Sequence, residues 1–187
     1  MEEIKDHTID KIKSKLLEMK TDLNKVSYLE KTIKEKNFTL EVKRFILGEV
    51  ASLYEGRKMY RKAARAILNK ANIEISTKDK IESYLFAAEL YAKLGDVEEA
   101  DQMFNLALRN TDPSQKAKIT LAKKNIYLVF ADELDKQGKK GSAIKFYERL
   151  IKMNLEQTEK ESIKEKLKAR YQALGLFREM RFLEGVK

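Results

Sequence analysis

Residues 84–113 read YLFAAELYAKLGDVEEADQMFNLALRNTDP, and this stretch decides the fold. Two helical patterns meet at Leu94-Gly95-Asp96, each with one apolar and one charged face. Glycine and aspartate between two such patterns spell a tight turn, so the stretch predicts a hairpin of antiparallel helices. Asp112-Pro113 then opens another helix, because proline fits the first turn, where its missing N–H would have no partner.

The same hairpin recurs along the chain. Ala63, Ala100, Ala143 and Met180 are spaced 37, 43 and 37 residues apart, and Tyr54, Tyr91, Leu134 and Tyr171 repeat those intervals. Gly95, Gly138 and Gly175 mark three turns at matching offsets. Stepping back 37 from Tyr54 and Ala63 reaches Leu17 and Val26, which extends the pattern into the first helices. The reading is all-α, with about five antiparallel helix pairs at 3–37, 39–72, 77–110, 113–154 and 156–185, forming a single helical-repeat domain over 1–187. Each pair buries too little alone, so stacking supplies the core. Small residues let helices cross closely, and aromatics fill the wider gaps. Thr21-Asp22, Thr39 and Ser76-Thr77 supply helix-start side chains. Asn37 suits the end of the second helix, and Leu23, Val26, Leu29 and Ile33 its stripe. Gly56 interrupts the pattern between the third and fourth helices. The longer 43-residue interval adds residues to the start of the seventh helix, where Lys116 and Lys118 project.

Composition agrees. The 187 residues include one proline and seven glycines, with no Pro-, Gly- or Ser-rich linker and no alternating strand pattern. Cysteine is absent, which excludes disulfides and thiolate chemistry. No apolar run approaches the roughly 18 residues of a membrane span, and a cytoplasmic protein is expected. His7 is the lone histidine, so neither a nucleophilic triad nor a zinc site is expected. Gly138-Lys139-Lys140-Gly141-Ser142 has the wrong spacing for a phosphate loop and no strand before it, so it reads as a repeat turn. No catalytic residue, metal or cofactor is expected, and the chain reads as a non-enzymatic protein.

Residues 84–113 resemble a tetratricopeptide repeat through Tyr84, Ala87, Ala88, Tyr91, Gly95, Ala100, Phe104, Ala107 and Pro113. Residues 127–154 resemble it through Tyr127, Phe130, Ala131, Gly138, Ala143 and Tyr147, and residues 47–71 through Leu47, Ala51, Tyr54, Ala63, Ile67 and Ala71. The family's usual period is about 34 residues. The longer, uneven intervals here also resemble the helical arrays of vesicle-fusion adaptors and proteasome-lid-type subunits. The resemblance implies a right-handed αα-superhelix whose first helices line a concave groove.

Carried over by position, that groove shows Phe45, Ser52 and Glu55, then Glu82, Leu85 and Glu89, then Asn125, Leu128, Asp132 and Asp135. It reads as an acidic lining with apolar spots, suited to a basic or amphipathic peptide or helix. The positions that grip acidic chaperone tails in some relatives are Gly48, Ser52, Phe86, Asn125 and Val129 here, without a cation, so that role is not implied. A scaffold or adaptor is the leading expectation. A basic cluster on the fourth helix, Arg57, Lys58, Arg61, Lys62 and Arg65, offers nucleic-acid association as the alternative, consistent with a net charge of +9. A third reading is an architectural subunit that self-associates through its end pairs.

Overall fold

The computed structural model describes residues 8–34, 38–109 and 111–184. Within them lie ten helices and no strand: α1 (Ile9–Glu18), α2 (Asp22–Thr32), α3 (Leu40–Gly56), α4 (Tyr60–Asn72), α5 (Thr77–Leu94), α6 (Val97–Arg109), α7 (Pro113–Lys136), α8 (Lys140–Ile151), α9 (Gln157–Ala173) and α10 (Phe177–Glu184). Consecutive helices from α3 to α6 and from α7 to α10 pack side by side, and α5 and α6 both touch α7. The chain is thus an all-α solenoid. The readings of His7, of Asn37 and of the first helix before Thr8 lie outside the described residues.

Polar side chains fix where the helices begin. Thr21, Thr39 and Ser76 accept from the amides of Asn24, Val42 and Asp79. Asp112 accepts from both Ser114 and Gln115, with Pro113 opening α7 behind it. Each cap satisfies amides that have no partner within the helix. α9 starts with a reciprocal pair in which Glu156 and Glu159 each bind the other's backbone.

The helix ends repeat more closely than the sequence shows. Gly95, Gly138 and Gly175 take the left-handed conformation at φ 78°, 76° and 70°. At each, the turn amide donates three residues back and the next amide five residues back: Gly95 to Ala92 and Asp96 to Tyr91, for example. The α3–α4 turn has the same pair of bonds, Lys58 to Glu55 and Met59 to Tyr54. Here Lys58, at φ 57°, occupies the glycine's place. Gly56 is the last residue of α3, at the interruption expected between the third and fourth helices, and the left-handed turn itself falls on Lys58. A side chain in left-handed geometry costs about 1–2 kcal/mol. Lys58→Gly is therefore expected to stabilise the fold by about 1 kcal/mol, read as a raised denaturation midpoint. At Gly95 glycine is needed twice over, since an added Cβ would lie 3.1 Å from Ser142 Cβ and Oγ.

A continuous core runs from Ile12 to Tyr171. Ala63, Ala100 and Ala143 are fully buried at the helix crossings, and Tyr54, Tyr91, Leu134 and Tyr171 are buried at the matching point of the first helices. Helix α7 has 24 residues, against 17, 18 and 17 for α3, α5 and α9. Its extra length lies at its start, where residues 113–118, including Lys116 and Lys118, are exposed.

The first pair departs from the pattern. Its helices are joined by extended residues, Met19 at ψ 125° and Thr21 at ψ 144°, with no left-handed turn. Ile12 and Leu16 are buried instead of Leu17, which is 87% exposed. Leu23 also lies outside the stripe expected for α2, while Val26 and Leu29 are buried as expected. A different turn sets a different helix phase, so the 37-residue step does not extend to α1.

Candidate functional site

The first helix of each pair keeps one stripe facing solvent, and the repeat intervals align these stripes. In α5 the stripe runs through Lys78, Glu82, Phe86, Glu89 and Lys93; in α7 it runs through Leu121, Asn125, Val129, Asp132 and Lys136. Its α3 counterparts include Phe45, Glu49 and Ser52, and its α9 counterparts Ser162, Lys166 and Ala169. The stripe arises by elimination. Tyr127, Phe130, Ala131 and Leu134 bury the opposite side of α7, and at 3.6 residues per turn the remainder must face out.

The expected site residues fall into two groups. Glu82 and Asn125 are exposed, and Glu89, Asp132 and Asp135 are half-buried on the same side. Leu85 and Leu128 instead pack partly against the core. Apolar contact area comes from residues outside the expected set. Val129 and Leu121 are 52% and 54% exposed, and Phe86, half-buried and packed partly against the core as Leu85 is, holds the place in α5 that Val129 holds in α7. The helical phase of α7, taken from its buried aromatics, is the signal that locates Val129 and Leu121.

The carboxylates on this face are largely neutralised from within. Lys93 of α5 reaches Glu55 of α3 at 2.7 Å and Glu89 of its own helix at 2.9 Å. Lys166 of α9 binds both oxygens of Asp132 at 2.7 and 2.9 Å. Arg170 grips Asp135 through Nε at 3.0 Å and through Nη2. Lys124 reaches Glu159 at 2.7 Å. Among the described residues Glu82 has only the exposed Lys78, at 4.0 Å. The face is therefore closer to charge balance than its carboxylates alone suggest, because Lys93 of α5 and Lys166 and Arg170 of α9 supply the cations. These pairs also tie successive first helices together, each contributing about 0.2–1 kcal/mol where exposed.

The titration of the two aspartates follows from these contacts. Burial favours the neutral form of Asp132, but hydrogen bonds from Lys166 and Tyr147 outweigh it and hold the carboxyl below the usual range. Arg170 holds Asp135 low against a smaller burial effect. A depressed folded value contributes stability that is present above the unfolded value, about 3.9, and is lost as pH falls through the folded one. The α7–α9 ties are thus expected to loosen in acid below about pH 4. A D132N/D135N double variant should show a shallower fall in unfolding free energy between neutral and acid pH than the parent.

The expected basic patch is partly committed to packing. Arg57 caps α3, and Lys58 makes the turn. Arg61 bridges to Asp96 of the next turn at 2.8 Å, and Lys62 lies 5.3 Å over the Tyr54 ring. Arg65 is exposed. Among the described residues no cluster of His, Cys, Asp or Glu is arranged to hold a metal ion, and no helix is long and apolar enough to cross a membrane.

Paired helices, repeating left-handed turns and one shared core define a helical-repeat solenoid. The family model for the tetratricopeptide repeat matches residues 81–111 and 125–157, which cover most of α5, all of α6, the second half of α7 and all of α8. The chain is a tetratricopeptide-repeat-like protein, and repeats of this kind generally mediate protein–protein interactions. A search of curated proteins finds no significant match.

Proposed function

We propose that the chain acts as one non-enzymatic scaffold or adaptor unit, cytoplasmic, whose aligned first-helix stripes form a groove for a protein segment. The observation that carries this reading is the exposed Val129 and Leu121 on α7, with half-buried Phe86 at the matching place on α5, on a face whose charges are otherwise balanced. Isolated exposed apolar residues are common, but an aligned group on neighbouring helices is a contact surface. The guest is an amphipathic helix or peptide whose apolar side meets Phe86 and Val129. Its basic groups face Glu82, the carboxylate with the weakest internal partner. Asn125 offers a hydrogen bond between the two.

A crosslinking and pull-down survey identifies the guest, and recovery of no protein partner at low salt would count against the reading. With a partner in hand, Val129→Asp is expected to weaken binding at least tenfold while leaving the melting temperature within a degree or so, since surface changes cost little. Glu82→Lys should weaken a basic guest in a salt-dependent way. Binding that survives both substitutions would remove the groove from consideration.

A further inference from the structure

The first three of the four junctions between successive pairs are filled unequally. Where the third pair meets the fourth, Phe104 of α6, Tyr127 of α7 and Phe146 of α8 interlock, with ring centroids 5.6 and 5.0 Å apart in edge-to-face contact. One repeat earlier, 37 residues back from Phe104 and 43 back from Tyr127 and Phe146, the same three places hold Ile67, Tyr84 and Met103. A further step of 37 gives Glu30 of α2, Leu47 of α3 and Ala66 of α4. Side-chain bulk thus falls junction by junction, and at the last one it fails to close the packing. A cleft of about 450 Å3 lies there, lined by Glu30, Leu47 and Ala66. That size is within the range of ligand sites, about 300–1,000 Å3.

The rim of the cleft is cationic. Lys34, Lys62 and Arg65 border it, and none has an ion-pair partner among the described residues. Glu30, the single carboxylate in the lining, already accepts the Tyr54 hydroxyl at 2.5 Å. An apolar floor under unpaired cations selects a guest with an apolar group flanked by negative charge. Tyr54 is buried, and so offers no exposed ring on which a base could stack. The chemistry favours an acidic peptide over a nucleic acid.

We propose that this cleft is a second binding site, which takes a large apolar side chain of an acidic peptide segment between α2 and the α3–α4 pair. The site is separate from the groove and does not depend on it. Its ligand fills the space that Phe146 and Tyr127 fill two pairs later.

The test uses the full chain and a fluorescein-labelled peptide carrying one phenylalanine between two pairs of glutamates. Fluorescence anisotropy should show saturable binding. Ala66→Met installs the side chain that Met103 supplies one pair on, and should weaken binding at least tenfold while the protein melts no earlier. Should that variant fold poorly, a K62E/R65E double variant carries the test alone, with a loss of at least tenfold expected. Replacing the peptide's phenylalanine by serine should have a similar effect, and Val129→Asp should have none. Amide shifts in NMR should centre on Leu47 and Ala66. Absence of saturation up to about millimolar peptide, the weak limit of specific recognition, would overturn the proposal. So would binding unaffected by both variants, or shifts centred on Phe86 and Val129. Equal displacement by a single-stranded oligonucleotide would reduce the rim to general charge attraction and also overturn it.

Discussion

Replacing Tyr127 by alanine is expected to destabilise the protein by about 3–5 kcal/mol, the cost of deleting a large aromatic from a packed core. Tyr127 is fully buried, and it touches each neighbour by a different interaction. Its ring is flanked edge to face by Phe104 and Phe146, at interplanar angles of 80° and 78°. Lys123 Nζ stands 5.3 Å over it, and its hydroxyl donates to Asp101 at 2.8 Å. Burial and the Asp101 carboxylate both push the phenol's titration far up, so it remains a neutral donor throughout the working range. Three helices meet at this side chain, while α6 and α7 make few other close approaches. In a solenoid, stability is a sum over pairs and their interfaces, so a weakened junction has a signature beyond a lower midpoint. Y127A should broaden denaturant unfolding or split it, as α3–α6 and α7–α10 lose coupling. Y127F retains the ring contacts and should cost only about 1 kcal/mol, one hydrogen bond's worth. A loss under about 1 kcal/mol for Y127A would mean that the junction is not held by this ring.

Asp101→Ala carries the second-largest expected effect, about 2–3 kcal/mol. Asp101 is 18% exposed and faces Lys123 at 2.5 Å, Arg149 at 2.6 Å and the Tyr127 hydroxyl. These two cations and the hydroxyl come from α7 and α8, so one carboxylate of α6 joins three helices. Removing it leaves two partly desolvated cations without their counter-charge and a buried hydroxyl without its acceptor. The cost of such orphaned groups exceeds the net worth of the interactions themselves. Residual exposure places the effect below that of a fully buried pair. Asp101→Asn preserves an acceptor for Tyr127 but removes the charge, and should fall about midway. If the asparagine variant matches the alanine variant, hydrogen bonding contributes little here. A double-mutant cycle with Y127F should return a coupling of about 1 kcal/mol.

Much of the architecture was legible in the chain because turns, caps and spacing are local. Asp112-Pro113 opened α7 and Gly138 closed it as expected, since proline geometry and left-handed glycine are properties of single residues. Leu17 shows where that reasoning stops. It stands at the right interval from Tyr54, yet an extended Met19–Thr21 connection rotates α1 and buries Leu16 instead. Lys58 hid a turn for a related reason. Its side chain carries no left-handed signal, and only the bonds from Lys58 and Met59 show that it does the work of Gly95. The candidate groove was legible in place but not in charge. Asp132 and Lys166 are 34 residues apart in the chain, and no local pattern announces that they meet.

The amino-acid sequence by itself determined that this is a helical-repeat protein, because helix phase, capping and the 37-43-37 spacing are fixed by covalent order. It also determined which side of each helix is apolar. Tertiary structure alone decided which carboxylates keep their charge free, which apolar residues remain exposed and where packing leaves a cleft. Those properties depend on distances between helices, and such distances are set by stacking whole pairs against one another. Ala66 and Phe146 occupy the same place in their repeats, and only the stacked structure turns that difference in volume into a site.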